Sequence, residues 1–279
     1  MTVAVTEAHR QGARTVACAS TGNTAASMAA YAARTDLRAY VYLPRGGASM
    51  QKLAQALDFG AEIRYVDGNF DDALKRLTAE TDREIYFLNS INPFRIEGQK
   101  TAIFHLLDLL DWEPPDYIVL PGGNLGNSAA FGKAIEELAV AGLLSPVPRL
   151  VIVQARGSNA LVRTVQAGGG ALHIVEDPQT MATAIRIGQP KSWKKAIRAL
   201  RFTHGITLDV DDDEIIAAKK ILGRDGIGSE PASATTLAGI RRLAADGVIA
   251  PGARIVAFLT GHALKDTDAI LKHAGPADA

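Results

Sequence analysis

Short apolar runs rich in β-branched residues alternate along this chain with longer stretches whose apolar positions recur at helical spacing. Strands are predicted over residues 15–19, 39–43, 63–66 and 85–88, and again over 117–120, 150–154 and 255–259. Helical patterns cover 24–34, 50–59 and 70–80, and another runs from about 128 to 141. Residues 1–10 also read as a helix, with no Ser, Thr, Asp or Asn ahead of them to cap the first amides. Strand followed by helix, repeated this often, predicts an α/β fold of open, mostly parallel twisted sheets covered on both faces. Residues 89–93, Asn-Ser-Ile-Asn-Pro, have the turn composition of a crossing between two domains, a smaller one over 1–96 and a larger one over 97–279.

Composition narrows the class. The chain has 279 residues, 47% hydrophobic and 22% charged, which supports one large or two modest cores and excludes intrinsic disorder. Lys and Arg total 30 and so do Asp and Glu, so no bulk field is present to hold nucleic acid or an anionic membrane. A local anion site remains compatible with that balance. The single cysteine, Cys18, excludes a disulfide framework and any multi-cysteine metal site. No apolar run reaches the roughly 18 residues of a membrane span. The first residues carry neither a basic head nor a signal-type apolar stretch, so a cytoplasmic protein is expected. The dense charge run at 209–214 reads as an acidic cap on a helix over 215–223; it lacks the ligand spacing of a metal site.

Three segments carry candidate chemistry. Ala19-Ser20-Thr21-Gly22-Asn23-Thr24 follows the first strand and opens a helix, where free amides, three hydroxyls and a carboxamide make either an anion site or an ordinary helix cap. Pro121-Gly122-Gly123-Asn124-Leu125-Gly126-Asn127-Ser128 has the same placement. Its glycines allow successive amides to face a phosphate, or simply make a tight turn. It has neither the Gly-Lys-Ser/Thr of a Walker loop nor the spacing of a dinucleotide fingerprint. Phe258-Leu259-Thr260-Gly261-His262 ends the last strand with a hydroxyl that could meet a ligand ring nitrogen, or serve only in a turn.

In this order, Ala-Ser-Thr-Gly-Asn-Thr, Gly-Gly-Asn-Leu-Gly-Asn and Leu-Thr-Gly-His resemble threonine synthases, fold-type II pyridoxal-phosphate enzymes. Three further stretches agree with that family: Asn92 to Thr101, Ala184 to Gly188, and Glu230 to Ala234. The resemblance implies two domains with the cofactor, pyridoxal 5'-phosphate, between them, and conversion of O-phospho-L-homoserine and water to L-threonine and phosphate. It implies that Asn23 bonds the cofactor's ring hydroxyl, that backbone amides of Gly123, Asn124, Leu125, Gly126 and Asn127 hold its phosphate, and that Thr260 faces its pyridine nitrogen. Thr21 and Thr24 would meet the substrate's α-carboxylate or phosphate. Asn89, Ser90, Arg95 and Asn124 would bind the substrate phosphate, with Arg95 as the fixed cation. A homodimer acting on a small molecule is expected.

One departure stands out. Family members carry the Schiff-base lysine in a Ser-Phe-Lys-Asp-Arg-Gly-Met stretch shortly before the Ser-Thr-Gly-Asn loop. Met1-Thr2-Val3-Ala4-Val5 matches the family residues directly after Arg-Gly, so the lysine is expected to lie before Met1, and none of this chain's lysines stands in that context. The chain then reads as truncated at the start of its first domain and impaired, since that amine moves the protons of the reaction. Two other readings stay open: a serine/threonine dehydratase-like lyase, whose relatives usually show a Ser-Ser-Gly-Asn-His loop, and a non-catalytic module that binds pyridoxal phosphate or a phosphoamino acid.

Overall fold

Two four-stranded sheets carry the chain, and every strand pairing in them is parallel. The structure, a computed structural model, describes residues 1–20, 22–45, 50–68, 70–79, 84–89 and 92–267. It divides into two compact units, Met1–Gln99 and Lys100–Ala279.

In the first unit α1 (Thr2–Arg10) is followed by β1 (Thr15–Ala19), α2 (Asn23–Arg34), β2 (Arg38–Pro44), α3 (Met50–Asp58), β3 (Glu62–Val66), α4 (Phe70–Thr78) and β4 (Ile85–Phe87). The strand order is β3-β2-β1-β4. Every position of β1 is buried, as its unbroken apolar run requires. Its side chains alternate between two cores. Val16 and Cys18 pack with Ala4, Val5 and Ala8 of α1 and with Ala25, Met28 and Ala29 of α2, whereas Ala17 and Ala19 pack with Ala73 and Leu77 of α4.

Helix α5 (Pro93–Leu109) begins in this unit. Asn92 caps it, its Oδ1 accepting from the amides of Phe94 at 2.9 Å and Arg95 at 3.2 Å. The turn composition read at 89–93 therefore marks a helix start: Asn is a preferred cap and Pro a preferred first helical residue, so the two signals coincide. The division between the units falls inside α5, after Gln99.

The second unit runs β5 (Tyr117–Pro121), α6 (Gly126–Val140), β6 (Arg149–Ala155), α7 (Ala160–Gln166), α8 (Trp193–Phe202), β7 (Ile206–Val210), α9 (Asp212–Arg224), α10 (Pro231–Ala245) and β8 (Ile255–Ala257). Its order, β7-β6-β5-β8, repeats that of the first sheet. In both, the opening strand is central, its two successors lie to one side and the last strand lies on the other. Strand β7 is absent from the sequence-based expectation. It is a half-buried edge strand whose Thr207 and Asp209 break the apolar run. Helix α10 buries Ala232, Ser233, Ala234, Thr235 and Thr236 in succession, and the Thr235 and Thr236 hydroxyls return to the carbonyls of Ala232 and Ser233. Small residues buried on all sides leave little amphipathic period to read.

The charge run at 209–214 does cap a helix. Asp211 and Glu214 form a reciprocal capping box at the start of α9, and Glu214 also pairs with Arg242. Among the described residues no group of His, Cys, Asp and Glu could hold a metal ion, and no helix is long and apolar enough to cross a membrane.

Candidate functional site

The strand order dictates where a ligand would bind. In each sheet the chain leaves the central strand toward one side and comes back on the other, and ligands of open α/β sheets collect outside the carboxyl ends of strands at such a switch point. The carboxyl ends of β1 and β4 lead into Ser20–Asn23 and Leu88–Asn92; those of β5 and β8 lead into Gly122–Leu125 and Phe258–His262. All three segments singled out in the sequence, and the Asn89 turn, lie at these four ends.

In the second unit β5 and β8 are neighbours, with Val119 opposite Ala257, so the loops after them leave side by side. Gly122 and Gly123 are required by space. A Cβ on Gly122 would stand 2.7 Å from Ile152 Cγ2, and one on Gly123 would stand 3.2 Å from the Ala184 carbonyl oxygen. The chain then turns into α6 through Leu125, whose φ of 62° is left-handed, a conformation costly for a branched side chain and held by burial of that side chain. Helix α6 begins at Gly126, two residues earlier than the sequence pattern suggests, with no side-chain cap on its first amides. The two asparagines brace the loop instead: Asn127 Nδ2 donates to the Pro121 carbonyl at 3.1 Å, and Asn124 Oδ1 accepts from the Lys191 amide at 2.6 Å. That contact fixes the Asn124 carboxamide with its carbonyl toward Lys191.

Across the switch point, Thr260 and Gly261 are gripped by α10. Both amides donate to Ser233 Oγ at 2.9 Å, and the Gly261 carbonyl accepts the Glu230 amide at 3.0 Å. A Cβ on Gly261 would lie 2.2 Å from the buried Glu230 carboxylate, so only glycine fits. The Thr260 hydroxyl is left at the exposed end of β8.

In the first unit Asn23 opens α2 behind Gly22, again with no side-chain cap, and Asn23 and Thr24 are half-buried. Thr21 and Ser90 lie outside the described residues. The Asn89 carboxamide bridges to Ala19 at the end of β1, accepting its N–H and donating to its C=O. Arg95, on the first turn of α5, folds back so that Nη1 donates to the Leu88 carbonyl at 3.1 Å, while Nε is buried with no partner among the described residues. Burial pulls its guanidinium pKa down, opposed by the adjacent Cys18. Burial pushes the Cys18 thiol up to about 12, with Arg95 acting against it. Arg95 is thus the cation at the carboxyl end of this sheet, incompletely satisfied by the protein.

Two supporting residues escape the sequence reading. Ser233 lies within a stretch notable in the sequence only for its family resemblance. Fully buried Gln154 donates to the Gly122 carbonyl at 3.2 Å and accepts from the Leu161 and Val162 amides, joining the β5 loop to α7. Neither carries a local signal, because both work through contacts distant in sequence.

The second unit fits pyridoxal phosphate chemically: uncapped helix amides behind a glycine-tight loop suit a phosphate, and a neutral hydroxyl on the adjacent strand suits a pyridine nitrogen. The fold and this donor set define a doubly wound α/β enzyme of the phosphate-cofactor kind. Residues 1–261 match the family model described as pyridoxal-phosphate dependent enzyme. The chain is 45% identical over 276 residues to the threonine synthase of Methanocaldococcus jannaschii, covering 98% of this chain and 68% of that protein. It is 46% identical over 275 residues to that of Mycobacterium bovis, covering 98% and 74%. Among solved structures, a fungal L-serine ammonia-lyase from Rhizomucor miehei superposes with a TM-score of 0.80 at 19% identity, over 98% of this chain and 86% of that one. Threonine synthase from Escherichia coli gives 0.73 at 20%, over 97% and 64%. The chain belongs to the pyridoxal-phosphate dependent enzymes, in their threonine synthase family, and pyridoxal phosphate is its cofactor.

Proposed function

We propose that this chain serves the conversion of O-phospho-L-homoserine and water to L-threonine and phosphate. The observation that carries the reading is the uncapped, glycine-tight loop after β5 beside the Thr260 turn after β8, in a chain 45% identical to a threonine synthase. Bound pyridoxal phosphate supplies the electron sink for charge developing on the substrate. Every other role falls to side chains and amides of this chain.

In this reading the larger, second unit holds the cofactor. The amides of Gly123, Asn124, Leu125, Gly126 and Asn127 bind its phosphate with the help of the α6 dipole. Thr260 meets the ring nitrogen. The first unit contributes Asn23 at the ring hydroxyl, Thr21 and Thr24 at the substrate's α-carboxylate or phosphate, and Arg95 at the substrate phosphate with Asn89 and Ser90. Asn124, from the second unit, joins that phosphate set. Because the Asn89 carboxamide already answers both backbone groups of Ala19, its part is to hold the turn with one N–H left to offer. Arg95 brings charge without full pairing, which suits recognition of a doubly charged phosphate. No lysine of residues 1–279 stands in the context the family gives its Schiff-base lysine, so we assign no catalytic amine within them. A soluble cytoplasmic homodimer is consistent with the balanced charge.

The test compares release of inorganic phosphate with threonine from O-phosphohomoserine against 2-oxobutyrate formation from threonine, in the natural gene product purified from its source. Threonine-coupled phosphate release is expected; 2-oxobutyrate as the dominant product would replace this reading with the dehydratase one.

A further inference from the structure

Ser233 lies on the first turn of α10, fully buried, with its hydroxyl oxygen against the Thr260–Gly261 peptide. The amides of Thr260 and Gly261 both donate to Ser233 Oγ, each at 2.9 Å. A hydroxyl offers two lone pairs and one proton. Two N–H donors fill both lone pairs, so Ser233 has no capacity left to accept from the Thr260 hydroxyl. The 3.4 Å contact between Ser233 Oγ and Thr260 Oγ1 therefore runs from Ser233 to Thr260. The alternative acceptor for the Ser233 proton, the Gly261 carbonyl at 3.4 Å, already takes the Glu230 amide at 3.0 Å. With either acceptor, Thr260 keeps its own proton. Its exposed hydroxyl makes no other hydrogen bond with the described residues, so that proton is available to a ligand.

From this we infer that Ser233 is a positioning residue that makes Thr260 an obligate hydrogen-bond donor, and hence fixes the cofactor's ring nitrogen as an unprotonated acceptor. The inference rests on the placement of Thr260 at that nitrogen proposed above. A pyridine nitrogen that accepts from a hydroxyl has its lone pair occupied, whereas a carboxylate at the same place would draw a proton onto the ring. The carbonyl side of the turn completes the grip: Gly261 is trapped between Ser233 and the Glu230 amide, so the hydroxyl cannot swing to a geometry in which it would accept.

The experiment uses residues 1–279 with and without pyridoxal phosphate labelled isotopically at the ring nitrogen, beside Ser233→Ala, Ser233→Thr, Thr260→Val and the double variant Ser233→Ala/Thr260→Val. In the wild type the ring-nitrogen resonance is expected at its unprotonated position and stationary across neutral pH. In Ser233→Ala, hydrogen exchange at the Thr260 and Gly261 amides should quicken about tenfold or more, with Ser233→Thr retaining protection. Cofactor dissociation should rise by a similar factor in Ser233→Ala and in Thr260→Val, and no further in the double variant, because both act through one contact. A merely structural Ser233 would give additive losses. Where the alanine variant does not fold, Ser233→Cys, whose sulfur accepts only weakly, takes its place in the exchange measurement. A protonated ring nitrogen in the wild type, unchanged exchange at both amides, or additivity would each overturn the inference. Failure of the unloaded wild type to take up any cofactor would overturn the placement of Thr260 and the donor assignment with it. Exchange on the unloaded chain would then decide the Ser233 anchor alone.

Discussion

The carboxamide of Asn89 meets both backbone groups of Ala19, accepting its N–H at 3.1 Å and donating to its carbonyl at 3.1 Å. Ala19 is the last residue of β1, and Asn89 comes just after the end of β4 on the neighbouring strand, so one side chain continues the sheet's hydrogen bonding beyond the point where the strands part. It replaces a ladder pair just where the two chains must diverge to make room for a ligand. Removing it leaves a buried N–H and C=O unmet, a loss of about 1–3 kcal/mol. Asn89→Ala is expected to lower the unfolding free energy by that amount, read from the denaturation midpoint, and Asn89→Asp, which keeps the acceptor and loses the donor, should fall between. Equal stability of all three proteins would show that the bridge is not carrying the turn.

Gly261 offers a second check on the site's construction. Any Cβ there meets the Glu230 carboxylate at 2.2 Å, and Glu230 is buried at the start of α10 with little room to retreat. Gly261→Ala should therefore displace the Thr260 turn or the α10 start, costing about 1–3 kcal/mol as an overpacked core does. Loss of cofactor affinity together with thermal stability is expected. Retention of both would place the turn elsewhere.

Arg95 combines a fixed charge with a buried, unpartnered Nε and a single bond from Nη1 to the Leu88 carbonyl among the described residues. Arg95→Ala should weaken O-phosphohomoserine by about 1.5–3 kcal/mol, the value of a charged hydrogen bond, and leave cofactor affinity nearly unchanged. Calorimetric titration with each ligand separately reads the difference. Equal binding of O-phosphohomoserine by the variant and the wild type would return Arg95 to a purely structural part beneath Cys18.

The pH dependence of stability has an identifiable contributor in Glu214. Burial raises its carboxyl, but the hydrogen bonds from Arg242 and the Asp211 amide, with the charges of Arg242 and Arg156, outweigh it and hold the pKa below the ordinary 4.5. The folded state then binds fewer protons at this group than the unfolded chain. Its stabilisation is fully present above pH 4.5 and is lost as pH falls from there through the folded value. Glu214→Gln should flatten the fall in the denaturation midpoint below that pH. Parallel curves for the two proteins would assign the acid loss to other groups.

How much of this site can be read from the sequence depends on how local each signal is. The loops at Ser20, Gly122 and Thr260 announce themselves because glycine, asparagine and hydroxyls cluster directly after an apolar run, and strand-to-helix turns need such residues in consecutive positions. Ser233 and Gln154 announce nothing. Ser233 reaches Thr260 from 27 residues away and Gln154 reaches Gly122 from 32, so only folding creates their roles. The same logic explains β7: an edge strand may carry Thr207 and Asp209, and its pairing with β6 supplies what its composition lacks. Asn92 and Pro93 belong to a different case, since turn and helix start share one chemistry and the residues that decide between them lie further along α5.

Residues 1–279, purified as they stand, are expected to take up pyridoxal phosphate weakly and without a covalent bond. The elements for non-covalent binding are present: Asn23 at the start of α2, the loop from Gly123 to Asn127, and the Thr260 hydroxyl. An amine aimed at the cofactor is another matter. Lys191 touches the loop through its backbone amide on Asn124, but its Nζ turns to Gln189 Oε1 at 3.3 Å. Lys100 and Lys133 are engaged by Glu137, at 2.7 Å and 3.5 Å. Proton transfer at the substrate carbons requires a base in contact with them, and its absence removes the acid–base contribution of about 10²–10⁴-fold. Borohydride treatment of the loaded protein followed by peptide mass analysis should accordingly find no pyridoxyl-lysine among the residues flanking these loops, and phosphate release from O-phosphohomoserine should stay at the buffer rate. A reduced adduct on one defined lysine, accompanied by threonine formation, would identify that lysine as the working amine and show that residues 1–279 are catalytically sufficient.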